Sequence, residues 1–171
     1  MRLSIDEQIK LFKKAVDPYK QNCPLFKTQD GFISNRHWAI SEGLLELLPY
    51  KEYLFSETQD VNFLDMIRKE LEETVKVYEN FDYYAVRTES IETLKKGQIY
   101  ILDIPELFKK VGILKVYADF IEGVVWNCVR KLYITEHVNK LNKKETRAYF
   151  VWSDPKDETL IEAVCCGIIH E

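Results

Sequence analysis

Residues 30–41 of the chain read DGFISNRHWAIS, and this stretch decides the fold. Its first two residues, Asp30 and Gly31, are a strong signal for a hairpin turn, because glycine adopts the positive φ angles that tight turns need. The turn, residues 29–31, separates two largely apolar segments, 24–28 and 32–40, which we predict to be paired strands. An antiparallel sheet is therefore expected early in the chain.

The segments that flank this hairpin alternate between helical and strand-like patterns. Residues 4–16 place Ile5, Ile9, Phe12 and Val16 on one face, which predicts an amphipathic helix. Two further helices are predicted at 60–80 and 105–111. Further strands are predicted at 82–88, 98–104, 113–120, 123–135, 147–153 and 159–169. These elements indicate an α+β fold with a mainly antiparallel sheet and few helices.

Composition narrows the classes of function. The chain has 171 residues, a net charge of -4 and 46% hydrophobic residues, which is typical of one globular domain with an acidic body. Binding to nucleic acid would then require a local basic face. The sequence has neither an apolar run of membrane-spanning length nor a signal peptide, so we expect a cytoplasmic protein that does not bind membranes.

Motifs that identify enzymes or metal sites are missing from the sequence. There is no glycine-rich phosphate loop, no HExxH pattern and no CxxC pair among the four cysteines. We therefore predict no cofactor, no metal site and no catalytic residue. A small enzyme remains an open alternative, in which Asp30, Ser34 and His37 converge.

A short sequence repeat suggests an internal duplication. LFKKAV at 11–16 is matched by LFKKVG at 107–112, and each copy lies on a predicted helix that is followed by strands. The common context favours two related units of one helix and several strands.

With this repeat, the chain resembles one domain of a DNA sliding clamp, the processivity factor of replicative polymerases. FKTQDGFISNRHWAI resembles the hairpin that follows the first clamp helix, and GQIYILDIPELFKKVG resembles the strand that enters the second helix. TRAYFVWSDPKDETLIEAVCCGII resembles the closing strands. The resemblance covers 1–48 and 98–171. It implies a single clamp-like domain over 1–171, made of two similar halves, with a helical insertion at about 50–97.

The resemblance also implies a function. The protein would be a non-enzymatic DNA-replication accessory that associates with DNA or the replication machinery as a homo-oligomer, and a virus or mobile element would be its source. Helix lysines would contact the DNA backbone without sequence preference. They are Lys10, Lys13, Lys14, Lys109 and Lys110. Read from the residues alone, the same lysines are also consistent with a solvated helix face.

The competing hypothesis is a protein–protein interaction module that binds and inhibits or adapts a host protein. Aromatic residues and arginine are enriched at protein interfaces, and aromatics crowd the region from 50 to 85. The predicted partner contacts are Arg36, Tyr50, Tyr53, Phe55, Tyr83 and Tyr84. The alternative reading, that Trp38 and these aromatics fill a core, stays open at this point.

Overall fold

The structure is a computed structural model that describes residues 3–16, 25–54, 58–79, 112–125 and 127–169. Three α-helices lie within these ranges: α1 (Ile5–Val16), α2 (Phe63–Leu71) and α3 (Gly112–Val124). The strands are β1 (Phe26–Lys27), β2 (Phe32–Ser34), β3 (Trp38–Ser41), β4 (Thr74–Glu79), β5 (Val129–Val138), β6 (Lys144–Asp154) and β7 (Asp157–Ile169). Short 3-10 helices follow β3 at Glu42–Leu45 and Tyr50–Tyr53.

All seven strands form one sheet in the order β1-β2-β3-β7-β6-β5-β4, and every neighbouring pair is antiparallel. The predicted α+β class with a mainly antiparallel sheet is confirmed. Both α1 and α3 precede a run of three sequential antiparallel strands, and β3 pairs with β7 where the two runs meet. The further hypothesis of two clamp-like halves stays a prediction.

The turn at Asp30-Gly31 is present, and Gly31 adopts a φ of +85°. The single strand predicted over 32–40 is wrong, because a second turn at residues 35–37 divides it into β2 and β3. Asn35 makes that turn: its side-chain oxygen accepts hydrogen bonds from the backbone N–H groups of His37 (2.9 Å) and Trp38 (2.8 Å). Asparagine in this position replaces strand pairing with a local turn.

The strand predicted over 113–120 is also wrong, since this segment belongs to α3. Its β-branched and aromatic residues favour a strand locally, but packing decides the outcome. Tyr117, Ala118 and Ile121 recur at helical spacing and are all buried. The strand predicted from 123 begins at Val129 instead, after α3 ends.

The long helix predicted over 60–80 is shorter than expected. Helix α2 ends at Leu71, and β4 begins at Thr74 and pairs with β5. The sequence TVKVYE has β-branched residues and an aromatic, which suit an extended strand beside β5 better than another helical turn. The strands predicted at 82–88 and 98–104 and the helix predicted at 105–111 lie outside the described residues.

Helices cover both faces of the sheet. Side chains alternate along β7, so Cys165 packs with residues of α1 and α3, whereas Val164 and Cys166 pack with residues of α2. The α1–α3 face holds the larger core, which includes Trp38. Since both faces of β6 are covered, six successive residues from Ala148 to Ser153 are buried. No helix in the described ranges has the length and apolar character needed to cross a membrane.

Candidate functional site

An open cleft of about 300 Å³ lies between α2 and the sheet, and we call it the α2 cleft. One wall is formed by a face of α2. The residues that line this wall are Phe63, Met66, Ile67 and Glu70. Their spacing of three and four residues brings them onto one side of a helix. Phe63 and Ile67 are buried, while Met66 is 47% exposed at the cleft mouth.

The floor of the α2 cleft comes from three neighbouring strands. Ala39 on β3, Val164 and Cys166 on β7, and Tyr149 on β6 project toward α2. The strand pairing places Ala39 beside Val164, and Tyr149 beside Cys166. This floor is mostly apolar, and residues distant in sequence form it.

The hairpin turn at the start of the chain fixes the position of α2. One carboxylate oxygen of Asp30 accepts a hydrogen bond from the backbone N–H of Phe63 at 2.9 Å, and the other accepts one from Leu64 at 3.0 Å. Negative charge at a helix N-terminus is favourable because the free N–H groups and the helix dipole attract it. Asn62 caps the same end through the N–H of Asp65. The turn and the helix therefore form one unit.

One end of the α2 cleft is formed by the β2–β3 turn. Arg36 has a φ of 83°, in the left-handed region that non-glycine residues rarely adopt. Ser34 stabilises this turn, because its hydroxyl accepts from the Arg36 N–H and donates to the Trp38 carbonyl. Arg36 is exposed, and its side chain forms no ion pair or hydrogen bond with a described residue.

The other end holds a charged network centred on Glu70. The same oxygen of Glu70 accepts hydrogen bonds from Arg147 at 3.0 Å and from the Tyr149 hydroxyl at 2.9 Å. Arg147 also donates two bonds to Glu145, and His137 lies 3.5 Å from Glu70. Two carboxylates thus share one guanidinium, which leaves one net negative charge among Glu70, Glu145 and Arg147. Glu70 is partly buried in this network.

Burial changes the pKa of two titratable groups of the α2 cleft, Cys166 and His37. Burial, partly opposed by Arg147 and aided by Glu70, raises the pKa of the Cys166 thiol to about 11, so the thiol is protonated at neutral pH. Burial and then the Arg36 charge lower the pKa of His37. The His37 ring stacks on Tyr117 with a centroid distance of 6.0 Å, and no side-chain hydrogen bond from a described residue orients it.

No described side-chain contact joins Asp30, Ser34 and His37, the three residues of the enzyme alternative. Asp30 binds the N-terminus of α2 and the Thr28 hydroxyl, whereas Ser34 is occupied within its own turn. Asp30 and Ser34 therefore each bind a structural partner other than His37. Within the described ranges, no group of three or more potential metal ligands comes together.

The predicted DNA-contact lysines are only partly within the described residues. Lys10, Lys13 and Lys14 are exposed on α1 and form no ion pair with a described residue. Lys109 and Lys110 lie outside the described residues. Helix α3, which packs beside α1, carries Lys115 together with Asp119 and Glu122. Helix α3 therefore carries charges of both signs, and its Glu122 is bound to Arg130 and Trp152 of the sheet.

The predicted partner contacts also lie in different parts of the structure, and three of them lie outside the described residues. Arg36 lines the α2 cleft, as described above. Tyr50 is buried in the core and donates a hydrogen bond to Glu42, and Tyr53 is half-buried against Phe12. Their rings thus serve the α1–α3 core, because the chain after β3 folds back over it. Phe55, Tyr83 and Tyr84 lie outside the described residues.

Sequence reasoning missed several residues that shape the site. Met66, Arg147, Tyr149 and Cys166 come from separate elements, and no local motif links them. The sequence offers one signal, Met66, which is an apolar residue of α2 outside its buried positions Phe63 and Ile67.

Comparisons with protein-family models, with curated proteins and with solved structures each gave no match to the chain.

Proposed function

We propose that the protein is a non-enzymatic protein–protein interaction module, which binds another protein by accepting an apolar side chain of that protein in the α2 cleft. Such binding would inhibit or adapt the partner. The observation that carries this proposal is an open, mostly apolar cleft between a helix and a sheet, with charged groups at both ends.

The size and lining of the α2 cleft suit an anchor residue. A volume of about 300 Å³ is at the lower end of ligand pockets, which accommodates one or two large side chains. Partner anchors of this kind dominate binding energy when water is excluded around them. Met66 at the mouth has a flexible side chain, which adapts to irregular apolar surfaces.

The helix wall of the α2 cleft is fixed in place, which favours binding. Asp30 holds α2 to the β1–β2 turn, and the Glu70 network joins α2 to β6. A preformed cleft loses little conformational freedom when it is filled, so more of the contact energy appears as affinity.

A photo-cross-linking experiment tests the proposal. A benzophenone amino acid is placed at Met66, at the cleft mouth, or at Leu160, which is 51% exposed and does not line the cleft. In the cells that naturally make the protein, we expect a discrete protein adduct from position 66 and none of that mass from position 160. The adduct should disappear when Ile67→Asp is added to the cross-linking chain. Identical adduct patterns at both positions would contradict a partner site in the α2 cleft.

A DNA-replication accessory is the second candidate. The observation that favours it is the arrangement in which α1 and α3 each precede three antiparallel strands, together with the exposed lysines of α1. Clamp-like binding predicts an affinity for duplex DNA that falls steeply as salt rises, and a defined homo-oligomer.

Fluorescence anisotropy with labelled duplex DNA, combined with light scattering, distinguishes this candidate. Lys13→Glu with Lys14→Glu should abolish DNA binding, while Lys140→Glu with Lys143→Glu, two exposed lysines between β5 and β6, should preserve it. A monomer without salt-dependent DNA binding would eliminate the clamp-like candidate and leave the interaction module.

A further inference from the structure

We propose that the α2 cleft recognises a free C-terminal carboxylate together with the large apolar side chain of the same terminal residue. This inference rests on the proposed function and specifies the chemistry of its partner. The ligand would be the end of a polypeptide chain whose last residue is, for example, phenylalanine or leucine.

The charge at the Arg36 end favours an anionic ligand. Three charged side chains line the α2 cleft: Arg36, Glu70 and Arg147. Arg147 already shares its guanidinium between Glu70 and Glu145, whereas Arg36 has no described carboxylate partner. Arginine binds carboxylates through two parallel N–H bonds, so Arg36 is the position where an incoming carboxylate would be held.

The backbone of Arg36 is held in an unusual conformation. A left-handed conformation is strained for a non-glycine residue, and glycine or asparagine would adopt it with less strain. The backbone N–H groups of residues 36–38 donate hydrogen bonds to the Ser34 and Asn35 side chains, which hold the β2–β3 turn in this form. The turn therefore maintains a strained arginine at the edge of an apolar cleft, where its charge is available to a ligand.

Only a short separation divides this charge from the apolar floor. The carbonyl of His37, the neighbour of Arg36, accepts a hydrogen bond from the Cys166 N–H at 2.9 Å. Cys166 and Val164 begin the floor directly beside it, and Phe63 and Met66 face them from α2. A carboxylate at Arg36 would thus place a side chain attached to the same residue over the floor.

The opposite end sets the orientation. Two strand spacings, about 10 Å, separate the His37 backbone from Tyr149 across β3, β7 and β6. At that end Arg147 is already paired with Glu70 and Glu145, so its guanidinium is not available to a third carboxylate. A terminal carboxylate would bind at Arg36, with its side chain directed toward α2.

A terminal residue fits better than an internal acidic residue. A chain end brings its charge and its apolar group to the site on one residue and leaves in one direction only. An internal aspartate would require the chain to continue on both sides of Arg36, with its apolar neighbour supplied by a second residue. The volume of about 300 Å³ favours the single residue.

Methyl NMR of the full chain tests the inference. Met1 and Met66 are the two methionines of the sequence, so ¹³C-methyl labelling gives a probe at the cleft mouth. The peptides are acetyl-Gly-Gly-Phe with a free carboxylate, its C-terminal amide, and acetyl-Gly-Asp-Phe-Gly amide as an internal acid. We expect the free carboxylate to shift the Met66 methyl signal, with an affinity at least about 10-fold higher than that of either amide, because a charge-assisted bond contributes about 1.5 kcal/mol or more.

Two matched variants assign the effect to the charge. Arg36→Gln should remove the preference for the free carboxylate, whereas Arg68→Gln, an exposed arginine of α2 that does not line the cleft, should leave it unchanged. Equal affinities for the acid and the amide would overturn carboxylate recognition but leave the apolar docking of the proposed function intact. A preference for the internal acid would also overturn it. If no peptide shifts the Met66 methyl signal while the cross-link at position 66 persists, the partner does not bind by its C-terminus. The inference would then be wrong, and the proposed function would stand.

Discussion

The contact between Asp30 and the N-terminus of α2 joins the sequence feature that decides the fold to the wall of the cleft. Asp30→Ala removes acceptors for Phe63 and Leu64, 33 and 34 residues away, and for the Thr28 hydroxyl. Hydrogen bonds to a charged group contribute about 1.5–3 kcal/mol each where buried, and N-cap losses are about 1–2 kcal/mol. Since Asp30 is only partly buried, water replaces some of these bonds, and we expect a total loss of about 2–3 kcal/mol in the free energy of unfolding.

Asp30→Asn removes the negative charge of the side chain but keeps its shape. The amide keeps one acceptor oxygen, so it should still bond one of the two N–H groups, at a cost of about 1 kcal/mol relative to the wild type. Asp65→Asn is the matched control, because Asp65 lies exposed in the first turn of the same helix. That control should change stability by no more than about 0.5 kcal/mol, through the helix dipole alone.

The penalty of Asp30→Asn should depend on pH. Burial acts to raise the pKa of Asp30, but the hydrogen bonds from Thr28, Leu64 and Phe63 together outweigh it and hold the pKa below its usual value. A carboxylate with a lowered folded-state pKa stabilises the fold above its unfolded pKa, about 3.9, and loses that contribution as pH falls through the folded value. The difference between the wild type and Asp30→Asn should therefore be complete at pH 7 and shrink below about pH 4.

Urea denaturation followed by tryptophan fluorescence measures these differences at pH 7, 5 and 3. The Met66 methyl signal should shift in Asp30→Ala, because the N-terminus of α2 loses its attachment. Equal destabilisation by Asp30→Asn and Asp65→Asn, or a penalty that does not diminish in acid, would refute the view that the turn carboxylate holds α2 in place.

Three shorter predictions concern the α2 cleft. Arg36→Gly should raise the free energy of unfolding by about 1 kcal/mol because glycine relieves the strain of the left-handed backbone, whereas Arg36→Ala should not raise it. Equal stabilities of the two variants in urea would contradict the strain. Tyr149→Phe should lower the free energy of unfolding by about 1 kcal/mol through the lost bond to Glu70, while Tyr53→Phe, whose hydroxyl has no described hydrogen bond, serves as the control. Alkylation of Cys166 at pH 8, followed by mass spectrometry, should be much slower than that of an ordinary exposed cysteine, because a pKa of about 11 leaves little thiolate; labelling at the ordinary rate would show that the pKa of the thiol is not raised.

Local sequence determined the elements in which the pattern of apolar residues and the tertiary packing favour the same structure. The helix at 4–16 and the Asp30-Gly31 turn were predicted correctly, as was the antiparallel class of the sheet, although Ile5 of the predicted apolar face is 40% exposed. In these segments the backbone preference of each residue and the periodicity of the apolar side chains favour the same structure. The predicted strand at 147–153 lies within β6 for the same reason.

Only the tertiary structure decided the remaining features. Residues 113–120 have strand-forming side chains, yet they form α3 because a helical face buries Tyr117, Ala118 and Ile121 against α1 and the sheet. The α2 cleft exists because Glu70 meets Arg147 and Tyr149 across 77 and 79 residues of chain. Periodicity and turn signals extend over a few residues, so they specify local backbone geometry. Contacts between side chains so far apart are fixed by packing of the complete sheet and its helices, and that packing placed the charges at the two ends of the cleft.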